Sequence, residues 1–380
     1  TRLLVTDSTH CLMKNCDVAI IGGGLLGSAF GWGLAVRGCK TVMFDEGDNA
    51  IRTARGNFGL VWVQGKGRGM AVYARWSLEA SMLWADFAHR LLEETGIDTH
   101  YHRPGGYNIC LDEKEMTENR EHLEQLRREA LKGEYEYDII DAGQIKSHLP
   151  MVGDVAGASY CPHDGHCNPL KLLRALHEGY LGHNGVYRPL TQIKKIESTA
   201  GEFSLISDAG DCVGRAEKII ISAGHGSAAL GEQVGLDIPI HPDQGQVLVT
   251  ERVSPLLDVP TNYVRQTDEG SFLLGPSSRD VGFDLSTEPG TLKEIAVRCV
   301  QAFPFLSKLR LQRAWAALRV MTPDGFPVYQ HSDSHPGAFS FNCHSGVTLA
   351  ANHALVVPQW IVDGKIPDDW NSFHPDRFDV

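Results

Sequence analysis

The sequence contains no Cys-x-x-Cys pair, no unbroken apolar run of about 18 residues, and no excess of positive charge. Each absence removes a class of function. Its nine cysteines are scattered, with Cys11 and Cys16, and Cys161 and Cys167, the closest pairs. An odd count at irregular spacing argues against a disulfide framework and against an iron–sulfur cluster held by this chain alone. Reduced thiols and a cytoplasmic location are the expectation. The longest apolar candidate, Val18 to Val36, is broken by Gly22, Gly23, Gly24, Gly27, Gly31 and Gly33, so no membrane span is expected. No basic stretch with a cleavage site precedes it, and no secretory signal is expected; residues 1–14 read as a short extension. The net charge of −12 repels phosphate backbones and anionic surfaces, which argues against a nucleic-acid partner.

What the sequence does hold is 380 residues, 42% hydrophobic, with 40 glycines, which is the profile of a globular α/β protein too long for a single core. Asp17-Val-Ala-Ile-Ile reads as a buried strand, Leu25 to Arg37 as a helix ended by Gly38, and Thr41-Val-Met-Phe as a second strand. Tyr73, Trp76, Ala80, Leu83, Phe87 and Leu91 recur at helical spacing across 69–95, a stripe best explained by core packing. A charged helix follows from about Glu113 to Leu131, and another starts at Pro169. Tyr187 to Ser207 reads as hairpin strands, Lys218-Ile-Ile-Ile as a buried strand, and residues 241–315 as β-rich.

Gly22-Gly-Gly-Leu-Leu-Gly27 fits G-x-G-x-x-G. A bare match is weak, but here a strand precedes it, a helix follows, and an acidic pair ends the next strand. Gly22 permits the tight turn, Gly24 leaves room for a pyrophosphate, and Gly27 lets the helix pack on the strand, with Leu25 and Leu26 opening that helix. The helix start presents unpaired N–H groups to an anion. Asp45 is spaced to accept hydrogen bonds from a ribose, with Glu46 the alternative if the strand runs one residue longer. The fingerprint does not distinguish FAD from NAD. His163, His166 and Cys167 lie in one short loop, and a turn explains them better than a metal.

Four blocks resemble the D-amino-acid oxidase and glycine oxidase superfamily of FAD enzymes. They are the fingerprint with Asp45, Thr53-Ala-Arg-Gly-Asn-Phe-Gly-Leu60, Trp315-Ala-Ala-Leu-Arg-Val-Met-Thr-Pro-Asp-Gly-Phe-Pro327, and Asn342-Cys-His-Ser-Gly-Val-Thr-Leu349. Within that superfamily, the stretch Gly56 to Gly67 looks most like the β-subunits of opine oxidases and D-hydroxyproline dehydrogenases. Two departures stand out: Ala317, and Asn342 or Cys343, occupy positions where the superfamily usually has glycine. The resemblance implies an α/β fold in which a discontinuous FAD-binding, Rossmann-like domain (15–95, 157–240 and 316–380) is interleaved with an antiparallel β-sheet substrate domain (96–156 and 241–315).

The resemblance also implies the site. Thr53, Ala54, Arg55, Asn57, Gly59 and Leu60 would wrap the pyrophosphate and approach the isoalloxazine. Ile193 would meet the adenine end, Ala223 and Gly224 would pass close to the FAD, and Gly346, Val347 and Thr348 would turn N–H groups to the flavin. Arg319 would grip a substrate carboxylate with its planar fork. Tyr263 would bind the same carboxylate or close the pocket, with a packed sheet tyrosine the alternative. His344 would tune the flavin, donate to substrate, or cap the turn. Cys343 raises a covalent bond to flavin, but no matching motif accompanies it, and noncovalent FAD is expected. The implied activity is oxidation of the C–N bond of a carboxylate-bearing, amino-acid-like amine, an opine or D-hydroxyproline, to an imine that water hydrolyses. The alternatives are a glycine- or sarcosine-type oxidase using O2, or a non-catalytic electron-relay subunit. The narrower likeness implies a heteromer with a flavin and iron–sulfur subunit.

Overall fold

The computed structural model describes residues 16–47, 53–129 and 135–379. Its largest sheet runs in the order Val328–His331, Ala338–Asn342, Cys212–Ile221, Cys16–Ile21, Thr41–Phe44, Val186–Arg188. All neighbours in that row are parallel except the first pair. Period-two alternation assigns the faces. Val18 and Ile20 pack under the helices Leu25–Val36, Ala71–Thr95 and Pro169–Gly182, whereas Ala19 and Ile21 pack against the opposite layer. Each fully buried aliphatic side chain contributes roughly 1.5–3 kcal/mol. The opposite layer is the antiparallel hairpin Ile193–Thr199 and Glu202–Ser207, which extends from Cys212–Ile221.

A second, four-stranded antiparallel sheet runs Val264–Gln266, Ser271–Leu274, His241–Arg252, Leu311–Met321. The helix Pro289–Ala302 covers one face, with Ile295 and Cys299 against Leu248, Val264, Phe272 and Leu274. A three-stranded sheet of Gly106–Cys110, Gly157–Cys161 and Asp138–Asp141 shares that core, joined through Tyr107 and Thr261. The architecture is therefore mixed α/β, a parallel sheet accompanied by separate antiparallel ones.

Two local expectations shift. Val186–Arg188 joins the parallel sheet at its edge instead of the hairpin, because it pairs with Thr41–Phe44. In the long helix Trp84 takes the deep position and Leu83 is half-buried. Gly157–Cys161 pairs with Gly106–Cys110 and Asp138–Asp141, and Leu311–Met321 pairs with His241–Arg252. The extension 1–14 and the end of the Glu113–Leu131 helix lie wholly or partly outside the described residues.

Candidate active site

Four strands of the parallel sheet end at one crevice. Gly22, Asp45, Ser222 and Cys343 follow their last residues and line a cavity of about 380 Å³. Ligands of parallel sheets bind outside the carboxyl ends of the strands, and this cavity lies there.

One end of the crevice is built mainly from backbone. Gly22 adopts φ +109, which favours glycine, and a Cβ there would strike the Ser222 carbonyl. At Gly27 a Cβ would strike the Gly22 carbonyl, so the helix sits directly on the turn. Gly24 is different: a Cβ would meet no protein atom within 4 Å, so it borders open space. Gly24 caps the helix Leu25–Val36 without a side-chain hydrogen bond, which leaves its first N–H groups available to an anion. The Asp45 carboxylate accepts the Gly23 N–H at 2.6 Å and the Gly47 N–H at 2.8 Å, so it fixes the turn as well as bordering the cavity. Glu46 is exposed, accepts from Gln192 at 3.1 Å, and also borders it. Ile193, Ala223 and Gly224 complete this region. An uncapped helix start, room at Gly24 and an acid at the end of the second strand together fit a dinucleotide.

The 53–60 segment crosses above. Thr53, Ala54 and Asn57 line the cavity. The Thr53 hydroxyl donates to the Leu318 carbonyl at 2.6 Å, and Asn57 accepts from the Gly59 N–H at 2.7 Å. The buried Arg265 donates to the Phe58 carbonyl at 2.7 Å and holds the loop from the antiparallel sheet. A Cβ on Gly56 would overlap that of Ala317, so the methyl that departs from the superfamily pattern is accommodated by a glycine opposite. Gly59 and Leu60 lie behind the lining, with Leu60 paired to His166. The side chain of Arg55 is outside the described residues.

The other end is built from side chains. Val320, Phe341, Asn342, Cys343, His344 and Gly346 line it. Burial pushes the Cys343 thiol up to about 12, so it stays protonated at neutral pH. Val347 is in the core, and the Thr348 hydroxyl accepts from the Trp62 N–H at 3.1 Å, so neither borders the cavity. Trp84 donates to the Thr348 carbonyl at 3.0 Å and ties the turn to the long helix.

Arg319 stands opposite Asp243 on the neighbouring strand and pairs with its carboxylate, while its second terminal nitrogen donates to the Ser277 carbonyl at 2.8 Å. Asp243 in turn accepts from Ser278 at 2.6 Å. Of the five N–H groups of a guanidinium, these contacts use two. Arg319 is outside the cavity lining, yet its charge helps to lower the pKa values of His344 and Lys66. His344 falls well below its ordinary range, chiefly through the Lys66 charge and then through burial. It is therefore neutral at physiological pH.

Tyr263 belongs elsewhere. It is buried in the core beneath the Pro289–Ala302 helix, its hydroxyl donates to Glu115 at 3.2 Å, and Arg298 lies over its ring at 4.9 Å. The packed-tyrosine alternative describes it, and the expected contact with a ligand in the crevice has no counterpart in the geometry. Sequence reasoning assigns no role to Lys66, Asp243 or Trp84. Lys66 sits inside the Gly56–Gly67 motif, while nothing local distinguishes Asp243 or Trp84. Among the described residues no three His, Cys, Asp or Glu side chains gather as a metal site, and no helix is long and apolar enough to cross a membrane.

The family described as DAO, FAD dependent oxidoreductase, matches residues 17–360. The chain is 39% identical over 367 residues to an opine oxidase subunit of Agrobacterium tumefaciens (strain Ach5), covering 96% of this chain and 98% of that one. It is 38% identical over 369 residues to the corresponding opine oxidase subunit of Rhizobium meliloti, covering 97% and 99%. Among solved structures, glycine oxidase from Geobacillus kaustophilus superposes with a TM-score of 0.87 at 24% identity, over 95% of this chain and 98% of that one, a likeness of fold. With the dinucleotide crevice in place and the family model spanning most of its length, this chain belongs to the DAO family of FAD-dependent oxidoreductases.

Proposed function

We propose that the chain oxidises the C–N bond of an amino-acid-like amine that carries a carboxylate, of the opine type, and that Arg319 holds that carboxylate. Arg319 carries the reading: a cation outside the crevice lining, next in sequence to the lining residue Val320, with three N–H groups beyond its contacts to Asp243 and Ser277. A charge-assisted grip of this kind contributes on the order of 1.5–3 kcal/mol. The opine oxidase names of the relatives at 39% and 38% identity support the substrate class.

Bound FAD would supply the two-electron oxidising capacity, as a hydride acceptor, that turns the substrate's C–N bond into an imine for water to hydrolyse. The chain's own residues do the rest. Gly22, Gly24 and the start of the Leu25–Val36 helix would hold the pyrophosphate, Asp45 or Glu46 the ribose, and Thr53, Ala54 and Asn57 would cover the centre. Asp243 fixes the plane of the Arg319 guanidinium, and His344 borders the reacting end as a neutral ring. The FAD would be held noncovalently, a reading supported by the Cys343 thiol, which burial keeps protonated.

The two opine oxidase relatives are each named as one subunit of their enzyme, which supports a heteromer, and a partner carrying a second flavin and an iron–sulfur cluster is the arrangement the resemblance implies. The described cysteines are free thiols, in keeping with a reducing, cytoplasmic setting. Anaerobic mixing with opines, D-hydroxyproline, glycine and sarcosine tests the substrate class. Loss of the flavin's visible absorbance with opines is the expected result, and bleaching by none of them would favour an electron-relay role. Denaturation should release the FAD. Full turnover of the isolated chain with O2 would count against the heteromer.

A further inference from the structure

Lys66 stands between Gly65 and Gly67, on the segment that leaves the strand Leu60–Val61. Its ammonium donates to the Ser345 hydroxyl at 2.8 Å and lies 3.3 Å from His344 Nε2. Ser345 is itself 2.6 Å from the buried Tyr73 hydroxyl. The two side chains that meet this amine are neutral; the buried Asp164 carboxyl, raised to about 7, acts on it electrostatically, and among the described residues no carboxylate forms an ion pair with it. The contrast with Arg319 is direct, since that guanidinium has Asp243.

A cation held among neutral dipoles is costly unless an anion arrives to meet it. His344, in contact with the amine, lines the crevice together with Cys343 and Gly346. The nucleotide end is taken by Gly22, Gly24 and Asp45, so this end receives the isoalloxazine, which gains negative charge on reduction. We propose that Lys66 is a positioning residue for the reduced cofactor: its ammonium, anchored by Ser345 and His344, supplies the positive charge that stabilises the electron-rich ring and raises its reduction potential. His344 is the intermediary. Accepting from Lys66 at Nε2 keeps its proton on Nδ1 and its ring neutral, so it adds no competing charge.

The surroundings agree. Burial lowers the Lys66 amine to about 8, assisted by Arg319 and opposed by Asp164. The groups that face it are Tyr73 from the long helix, Cys343, His344 and Ser345 from the last turn, Asp164 from the 161–165 turn, and Arg319 from its strand. Asp164 also accepts from the backbone of Val63 and Gln64, which sets the path of the chain into Lys66.

The proposal rests on flavin lying in the crevice and is independent of the substrate assignment. Its test uses sulfite, whose sulfur adds with its electron pair to flavin N5 and leaves negative charge on the ring. Holoprotein of wild type, Lys66→Met and Lys66→Arg is compared for FAD content, sulfite affinity and two-electron midpoint potential. Lys66→Met should retain FAD, bind sulfite about tenfold more weakly and fall by about 30 mV, the equivalent of tenfold for two electrons. Lys66→Arg should recover most of both. Unchanged affinity and potential in Lys66→Met, or equal losses in both variants, would overturn the proposal. Should Lys66→Met not fold, sulfite binding to wild type should weaken as pH rises through about 8, and a flat profile there would overturn it. Loss of turnover with normal potential and sulfite affinity would instead implicate the substrate reading and leave this one overturned.

Discussion

The two ends of the crevice are made in different ways. At the nucleotide end, recognition comes mainly from backbone: a glycine turn, an uncapped helix start and one acid that also fixes the turn. At the reacting end it comes from side chains that the fold brings together, with Lys66 and His344 separated by 278 residues and Arg319 and Asp243 by 76. The first arrangement ties binding to local conformation and changes little without loss of the ligand. The second leaves the backbone intact when its residues change, so substrate and potential can vary on a fixed nucleotide site.

Breaking the backbone end should have the largest effect. A Cβ added at Gly24 meets no protein atom within 4 Å, so Gly24→Val should fold, while its branched side chain extends into the space proposed for the pyrophosphate. FAD affinity should fall by about 100-fold or more, measured by flavin titration of apoprotein with circular dichroism as the folding control. A folded variant with normal FAD affinity would mean that Gly24 does not border the cofactor. Arg319→Ala comes next. FAD content should stay at the wild-type level while kcat/KM for carboxylated substrates falls about 10- to 100-fold. If FAD were lost as well, the two ends would not be separable in the way described.

Tyr263→Phe should do least. The hydroxyl serves Glu115 and Arg298 away from the crevice, so kcat/KM should change by less than about twofold and stability by about 1 kcal/mol in thermal denaturation. A large loss of turnover with normal stability would return Tyr263 to the active site.

The same division explains what is legible in the sequence. Residues 16–47 encode strand, turn, helix and strand within one contiguous stretch, and there the strand and helix positions and residues that line the cavity can be read directly. The Trp315–Pro327 and Asn342–Leu349 blocks lead to Arg319 and His344 through resemblance. They give no sign that Arg319 faces Asp243, because that contact depends on the register of two strands far apart in sequence. Lys66 has no visible role within its motif for a related reason: a lysine between two glycines looks like a solvated turn until Ser345 and His344 are placed over it. Tyr263 is left between a pocket role and a packed one by the sequence, and in the structure it packs under the Pro289–Ala302 helix, a contact that depends on residues far from its own segment. Val186–Arg188 goes to a different sheet partner because three residues carry too little pattern to choose between neighbours.

The most direct test of the account pairs the enzyme with its substrate's acid group. Rates of anaerobic flavin reduction are measured for wild type and Arg319→Ala, each with an opine and with the same opine converted to its carboxamide. The account predicts that the substitution costs about 10- to 100-fold with the acid and less than about threefold with the amide. Equal losses with both compounds would contradict it, because the guanidinium would then be supporting the fold and not holding the substrate.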